Sequence, residues 1–547
     1  MEPGTVDRNT NLSRGFVICS VVIALLLGSA AFWGSNKQAL GLFHDDGIYT
    51  VVAKSIYQGE GYRIISLPGA PPQTKYPFLY SYLLSWIWRL NPNFPQNIVV
   101  FKGLNAITLV GIFFLCLTFY RRSFAPLGFG AVIFSILVCA NPIIFTFTDY
   151  VISDLLFVLL ALTVLTICAN EIDGPAATTL ARISLLAVVT GLALLTRLAA
   201  LPLVLAGGLF SFRIRRWRGL GIFAALVGLF IAPWLLWAAH YPQPSVDSLL
   251  AYYSAYDFAG AGSDLSGNSG AHQWSVIGGN ARYLMDSFEM LYLTPLLPGL
   301  SIFAGALTLL GMVKSFCGKE LTHWSFFLSS LLLLLFWPFH PGRYVAPLAP
   351  LLVLYLFRGA KTVENWVARS VWDSAFKPIV AKLAWTPVTF ILVFISVWLS
   401  GFLLVRDDQS TRGLYGNRVP YRWEGFEESF AWIRAHTPAD ALLATAYDPM
   451  YYLYTGRRAI RPALHRPATY FYPYGRANPN VGSVNEIRPQ LDQLKANYLI
   501  IDPLDGYAER SATSRLFDQL VLAYGDKAKN VFTSSDGKHR IYALSND

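Results

Sequence analysis

Two adjacent carboxylates, Asp45 and Asp46, stand in the run His44-Asp45-Asp46-Gly47-Ile48-Tyr49. They follow shortly after Gly15–Trp33, an apolar run long enough to cross a membrane. Apolar residues then recur at helical spacing: Ile48, Val51 or Val52, and Ile56. This predicts a short helix lying on the membrane surface with both acids at its start. Unpaired N–H groups and the helix dipole favour the ionised carboxylate there. Tyr49 lies four residues after Asp45, on the same face. Such an acid can take a proton from an attacking hydroxyl, or it can simply cap the helix. The doubled acid, the neighbouring tyrosines and Lys75 in the same loop favour the first.

Other ionisable groups fall at membrane depth, where charge is expensive and function is the default reading. Lys75-Tyr76-Pro77 closes the loop that Asp45 opens. Thr148-Asp149-Tyr150 and Ser153-Asp154 lie at the mouth of two spans, and His340-Pro341-Gly342-Arg343-Tyr344 between two later ones. Arg197 interrupts a long apolar run and approaches the same level. Carboxylates and cations around one cavity suit an anionic phosphate and a hydroxyl that needs a base. Arg343 and Lys75 would hold phosphate oxygens and stabilise the leaving group. Asp45 would accept the proton; its lowered pKa makes it a weak base, enough for a good leaving group such as a lipid phosphate. Plainer roles stand beside these. Arg343 suits an interfacial anchor, Asp154 a helix cap and Lys75 a solvated loop charge. Arg197 suits a structural partner of Asp149 or Asp154. His340 has no second His or Cys at metal spacing.

The elements that must position these residues are membrane spans. The chain has 547 residues, is 54% hydrophobic and is only 14% charged, with a mean hydropathy of +0.43; soluble chains carry roughly a quarter charged residues. Aromatic residues, at 15%, suit interfacial belts and a sugar- or lipid-lined cavity. The net charge of +10 gathers in short loops between spans, which is a topology signal without a nucleic-acid signature. Four of the five cysteines, Cys19, Cys116, Cys139 and Cys168, lie inside apolar segments, and none suits a disulfide.

Eleven spans are expected: 15–33, 98–120, 126–147, 152–170, two short helices within 183–212 meeting near Arg197, then 219–239, 291–313, 324–338, 345–358 and 386–405. With the N-terminus inside, the basic loops at 121–122, 213–218, 314–319 and 358–382 fall in the cytoplasm. The loops 34–97, 146–152, 240–290 and 339–344 then fall outside, with the tail. The expected fold is a mainly α polytopic membrane domain over 1–405 and an extracytoplasmic α/β domain over 406–547. In the tail, 426–436, 448–454 and 511–524 read as helices. Residues 441–446 and 498–502 read as strands, and 531–544 as a strand pair around Ser535-Asp536-Gly537.

The motifs resemble those of the GT-C glycosyltransferases, the superfamily of protein O-mannosyltransferases and aminoarabinose (lipid A) transferases. The resemblance rests on Asp45-Asp46-Gly47-Ile48-Tyr49, on Lys75-Tyr76-Pro77-Phe78-Leu79-Tyr80, and on Ser153-Asp154 as a second acidic site. It continues through Leu195-Thr196-Arg197, Arg343-Tyr344-Val345-Ala346-Pro347 and the tail's Tyr452-Leu453-Tyr454-Thr455-Gly456-Arg457-Arg458. Phe78 stands where the family usually has a second Pro. The resemblance implies a polyprenyl-phosphate-linked sugar as donor. It also implies direct, inverting transfer to a hydroxyl of a lipid, glycan or protein acceptor. Asp45 falls at the family's base, with Asp46 and Asp154 as further acids. Tyr49, Lys75, Tyr76, Arg197, Arg343 and Tyr344 fall among its phosphate-binding positions, with Arg282 as an addition. No organic cofactor is implied, and a divalent metal is found in some members only. No β-trefoil insert is present, which points to a bacterial-type enzyme of the cytoplasmic membrane. A transporter or flippase for a lipid-linked sugar is the alternative; it would show paired halves and midplane charges, and no internal repeat is evident. A non-catalytic scaffold in envelope assembly is a third reading.

Overall fold

The computed structural model describes residues 14–124, 127–169, 176–242, 244–245, 247–254, 270–291, 298–317, 320–337, 341–370, 393–394, 396–398, 400–401, 423–464, 482–503 and 510–545. It is mainly helical, with a mixed sheet near the C-terminus.

Helix α1 (Arg14–Gly34) leads into α2 (Asp45–Gln58), which begins at the paired acids as expected. Gly59 ends α2 in the left-handed region (φ +79°), returning its N–H to the carbonyls of Ser55 and Ile56. α2 differs from the expected surface helix, because every residue from Asp46 to Ala53 is buried. α3 (Leu79–Leu90) packs on one side of it and the C-terminal domain on the other. The one-sided pattern belongs instead to α3, whose Tyr80, Leu84 and Trp88 are buried while Tyr82 and Trp86 are exposed.

Further apolar helices follow. They are α4 (Ile98–Ser123), α5 (Phe129–Cys139), the single turn α6 (Pro142–Phe145), α7 (Asp154–Cys168), α8 (Ala176–Thr196) and α9 (Leu201–His240). α10 (Gly270–Leu291) runs through a stretch expected to be polar loop. α11 (Pro298–Cys317), α12 (Leu321–Leu335), a 3-10 segment Gly342–Leu348 and α13 (Ala349–Ser370) complete this part. Among the described residues, five helices are long and apolar enough to cross a membrane, or six if the pair Phe129–Cys139 and Pro142–Thr148, bent by 55°, is one span. Asp154–Cys168, Ile302–Phe316 and Leu321–Leu335 are shorter apolar helices. The expected span at 386–405 lies largely outside the described residues.

The C-terminal domain opens with α14 (Trp423–His436). Strands β1 (Leu442–Ala444), β2 (Arg458–Ile460), β3 (Tyr498–Ile501), β4 (Ala528–Thr533) and β5 (Arg540–Leu544) form one sheet in the order β2-β1-β3-β5-β4. β1 pairs in parallel with β2 and β3, and β5 is antiparallel to β3 and β4. The helices α15 (Asp448–Thr455), α16 (Val484–Gln493) and α17 (Arg510–Tyr524) provide the crossings. β2 and α16 add to the expected elements.

One helix pair approaches backbone to backbone at two glycines. A Cβ on Gly311 of α11 would collide with the carbonyl oxygen of Tyr355, and one on Gly359 of α13 with that of Leu307. Small residues let membrane helices approach this closely. Gly305 on the same helix has nothing within 4 Å of its Cβ position. Gly311→Val is therefore expected to destabilise the protein by about 1–3 kcal/mol or more. Gly305→Ala should be neutral or slightly stabilising. Thermal unfolding in detergent compares the two.

Candidate active site

The first turn of α2 puts Asp45 and Asp46 on different partners. The Tyr76 hydroxyl donates to Asp45 Oδ1 at 2.7 Å, and Arg343 reaches Asp45 Oδ2 at 3.0 Å. Asp46 instead accepts from the main-chain N–H of Gly41 at 3.0 Å and of Gly47 at 2.9 Å, so its carboxylate closes the 41–47 loop. Asp45 does not cap the helix with its side chain. The residue at the cap position is His44, which makes no capping bond.

Burial alone would raise the pKa of Asp45. The Arg343 guanidinium, then Lys75 and the Tyr76 hydroxyl, outweigh it and hold the carboxyl below its usual range. For Asp46 burial wins: Gly41, Lys102 and Gly47 offset it only in part, and its pKa is raised. Burial also raises the Tyr49 phenol, so that group stays protonated. Two neighbouring carboxyls are thus pushed in opposite directions.

Beside Asp45 lies a narrow cleft of about 40 Å³, lined among others by Tyr49, Lys75, Tyr76, Arg197, Arg343 and Tyr344. Residues from four separate stretches of chain therefore meet around one space. Arg197 forms a close ion pair with Asp154, both nearly sealed from water. The Arg197 guanidinium also lies 4.7 Å from the Tyr344 ring centre. Arg343 lies 5.2 Å from the same ring and 5.4 Å from that of Phe43. Tyr49 bonds Ser153 at 3.0 Å and packs against Tyr76 and Tyr80. The Lys75 ammonium donates to the Tyr252 carbonyl at 2.8 Å and sits 3.7 Å from the centre of that ring.

The break before α9 is what brings Arg197 here. Its extended backbone (φ −156°, ψ 140°) ends α8 and lets the guanidinium turn towards Asp154. Of the two acids offered as its partner, Asp149 is taken by Lys102 at 3.0 Å and by the N–H of Asn36 at 2.7 Å. Arg282 sits on α10 and is not among the residues lining the cleft. His340 lies outside the described residues. Among the described residues, no three His, Cys, Asp or Glu side chains gather as a metal site.

Sequence reasoning missed two partners, Lys102 and Asp448, and left a third, Tyr252, open between a belt and a substrate platform. Lys102, buried within the apolar α4, carried the signal of a lone cation in a span. Tyr252 stands at the edge of a tyrosine-rich stretch that reads equally as an interfacial belt. Asp448, on α15 of the C-terminal domain, is fully buried and bonds His44 Nε2 at 2.8 Å. His44 is held at φ +66°, a region that non-glycine residues rarely adopt. Gly41 and Gly47 fit under the same helix: a Cβ at either would come within 2.6 Å of Met450 or 2.8 Å of Pro449. The loop carrying Asp45 is thus moulded against the C-terminal domain.

Solved structures share this architecture. ArnT from Cupriavidus metallidurans bound to undecaprenyl phosphate matches with a TM-score of 0.57 at 12% identity, over 98% of this chain and 99% of that one. Its apo state matches with a TM-score of 0.58 at 12% identity, over 97% and 98%. The Archaeoglobus fulgidus oligosaccharyltransferase in the apo form matches with a TM-score of 0.57 at 13% identity, over 98% of this chain and 75% of that one. No protein-family profile and no curated protein matches the chain. At these identities the likeness is one of fold: over nearly its whole length this multi-pass membrane protein has the GT-C fold that its motifs led us to expect.

The two ion pairs differ in surroundings, and so should their removal. Asp154→Asn leaves Arg197 buried and unpaired, which is expected to cost about 3–5 kcal/mol. Arg343 is 23% exposed and keeps some water, so Asp45→Asn should cost about 1 kcal/mol or less. Thermal unfolding of both variants in one detergent checks the difference.

Proposed function

We infer that this protein is a membrane glycosyltransferase that moves a sugar from a polyprenyl-phosphate donor to an acceptor hydroxyl on the external side of the membrane. One arrangement carries the reading. Asp45, at the start of a helix, is shared between the Tyr76 hydroxyl and the Arg343 guanidinium, beside a cleft that also holds Lys75 and Arg197. The fold of ArnT, solved with undecaprenyl phosphate bound, supports the lipid-phosphate donor.

In this reading the acceptor oxygen attacks the sugar's anomeric carbon. The bond from that carbon to the phosphate oxygen breaks, and polyprenyl phosphate leaves. A single displacement inverts the anomeric centre. Asp45 takes the proton, and Arg343 and Lys75 meet the charge left on the phosphate. Arg343 has a double part: a bound phosphate competes with Asp45 for its guanidinium, so donor binding loosens the grip that keeps Asp45 a weak base. Arg197, tied to Asp154, holds the Tyr344 ring beside the phosphate. Asp46 shapes the loop through Gly41 and Gly47.

The same reading sets the topology. The bent pair at 129–148, the shorter apolar helices, the two arms of α9 and the 386–405 segment all count as spans, giving eleven. The membrane domain covers 1–405. The tail from 406 faces outwards with the cleft, in a bacterial cytoplasmic membrane whose inner side holds the N-terminus.

The test is to incubate the purified full chain with a panel of polyprenyl-phosphate sugars and follow release of polyprenyl phosphate. Asp45→Asn should lower kcat by about 10²–10⁴-fold. Undiminished turnover in that variant, or sugar uptake into vesicles with no bond broken, would overturn the assignment. The pH profile is a separate check. With Asp45 held below the usual carboxylate range, kcat/KM should stay level through neutral pH and fall only on the far acid side. Arg343→Gln removes the strongest influence against burial, so the acid limb should move to higher pH.

A further inference from the structure

α9 is not one straight rod. Its regular geometry breaks at Arg215 and Arg216, the latter at φ +52°. A Cβ on Gly207 would come within 2.6 Å of the Phe223 ring, and one on Gly208 within 3.3 Å of Leu220. In a straight helix Gly207 and Phe223 would stand roughly 24 Å apart. The helix therefore doubles back as a tight hairpin, with Arg213, Arg215, Arg216 and Arg218 around its tip. All four are exposed, and among the described residues none has an acidic partner.

A groove of about 600 Å³ runs up the hairpin from this tip. Every side chain lining it is apolar, including Leu209, Phe212, Trp217, Leu220 and Ala224. It opens outwards, because Leu205 and Trp217 on its walls are 60% and 75% exposed. Phe212 and Trp217 meet edge to face at its lower end, and the Arg216 guanidinium lies 5.8 Å from the Phe212 ring centre.

We propose that this hairpin is a binding site for an anionic membrane phospholipid, its acyl chain in the groove and its phosphate on the arginine cluster. A topology signal explains the charges but not the groove. The groove explains an apolar guest but not four guanidinium groups beside its end that, among the described residues, have no acidic partner. A phospholipid has both halves in this order. Guanidinium groups suit phosphate oxygens, and clustered cations favour a net negative headgroup over a zwitterionic one. The groove does not serve the cleft. Arg197, in the cleft, immediately precedes the first arm of the hairpin, and Arg213 lies roughly 24 Å further along it. The site is thus at the other end of this arm from the cleft and is independent of the glycosyltransferase reading.

The experiment labels the purified full chain with phosphatidylglycerol carrying a photoreactive acyl chain, in competition with phosphatidylcholine of the same chains. Cross-links are mapped by mass spectrometry. Labelling is expected within 204–231, with phosphatidylglycerol preferred by about tenfold or more. Ala224→Trp, which fills the groove from an exposed position, should abolish it and leave the charges intact. The combined R213Q/R215Q/R216Q/R218Q variant should lose the headgroup preference. If that variant does not accumulate, the wild-type competition decides alone. Equal labelling by the two lipids, cross-links scattered over the apolar surface, or a polyprenyl phosphate outcompeting phosphatidylglycerol would each overturn the proposal.

Discussion

A charge withdrawn from water at the edge of a membrane needs a counter-charge within reach, and this chain meets that need with partners far away in sequence. Asp45 finds Arg343, Asp154 finds Arg197, Asp149 finds Lys102, and His44 finds Asp448. Each pair ties a loop or helix start to an element formed much later in the chain. Burying the pairs is costly, but an unmatched member costs more, so the pairs specify which helix ends must meet. The cleft is the space these ties leave among them, walled by tyrosines whose rings take up the guanidinium faces.

How far this was legible follows from the range of each interaction. Apolar runs and helix breaks are local, so 98–123, the break at Arg197 and most strands of the tail could be read directly. The Asp45 helix could be read too, since its acids and its closing glycine lie within one short stretch. Its burial could not, because the covering comes from α3 and from α15, which lies far along the chain. α3 escaped notice because it lies within a stretch read as one external loop, although its apolar residues share one face, and α10 because Gly, Asn and Asp interrupt its apolar run.

Partner choice was the least legible level. Arg197 could have met Asp149 or Asp154, and only the packing of α4 against α7 gives Asp149 to Lys102. Arg282 carries the right charge in a suitable region, yet its helix does not bring it to the cleft wall. Lys75 reads as an ordinary loop cation; what makes it otherwise is the Tyr252 ring and carbonyl, from a segment with no periodic signal.

The fit of α15 over Gly41, His44 and Gly47 bears on biogenesis. Synthesis runs from the N-terminus, so the loop bearing Asp45 leaves the ribosome hundreds of residues before the helix that shapes it. During that interval the spans can insert and pair, but His44 lacks Asp448, the carboxylate that bonds its ring in the finished fold. The contacts around Gly41, His44 and Gly47 are complete only when the last domain folds back onto the first loop. A half-made chain in the bilayer therefore lacks one wall of this loop, and the last-made domain supplies it.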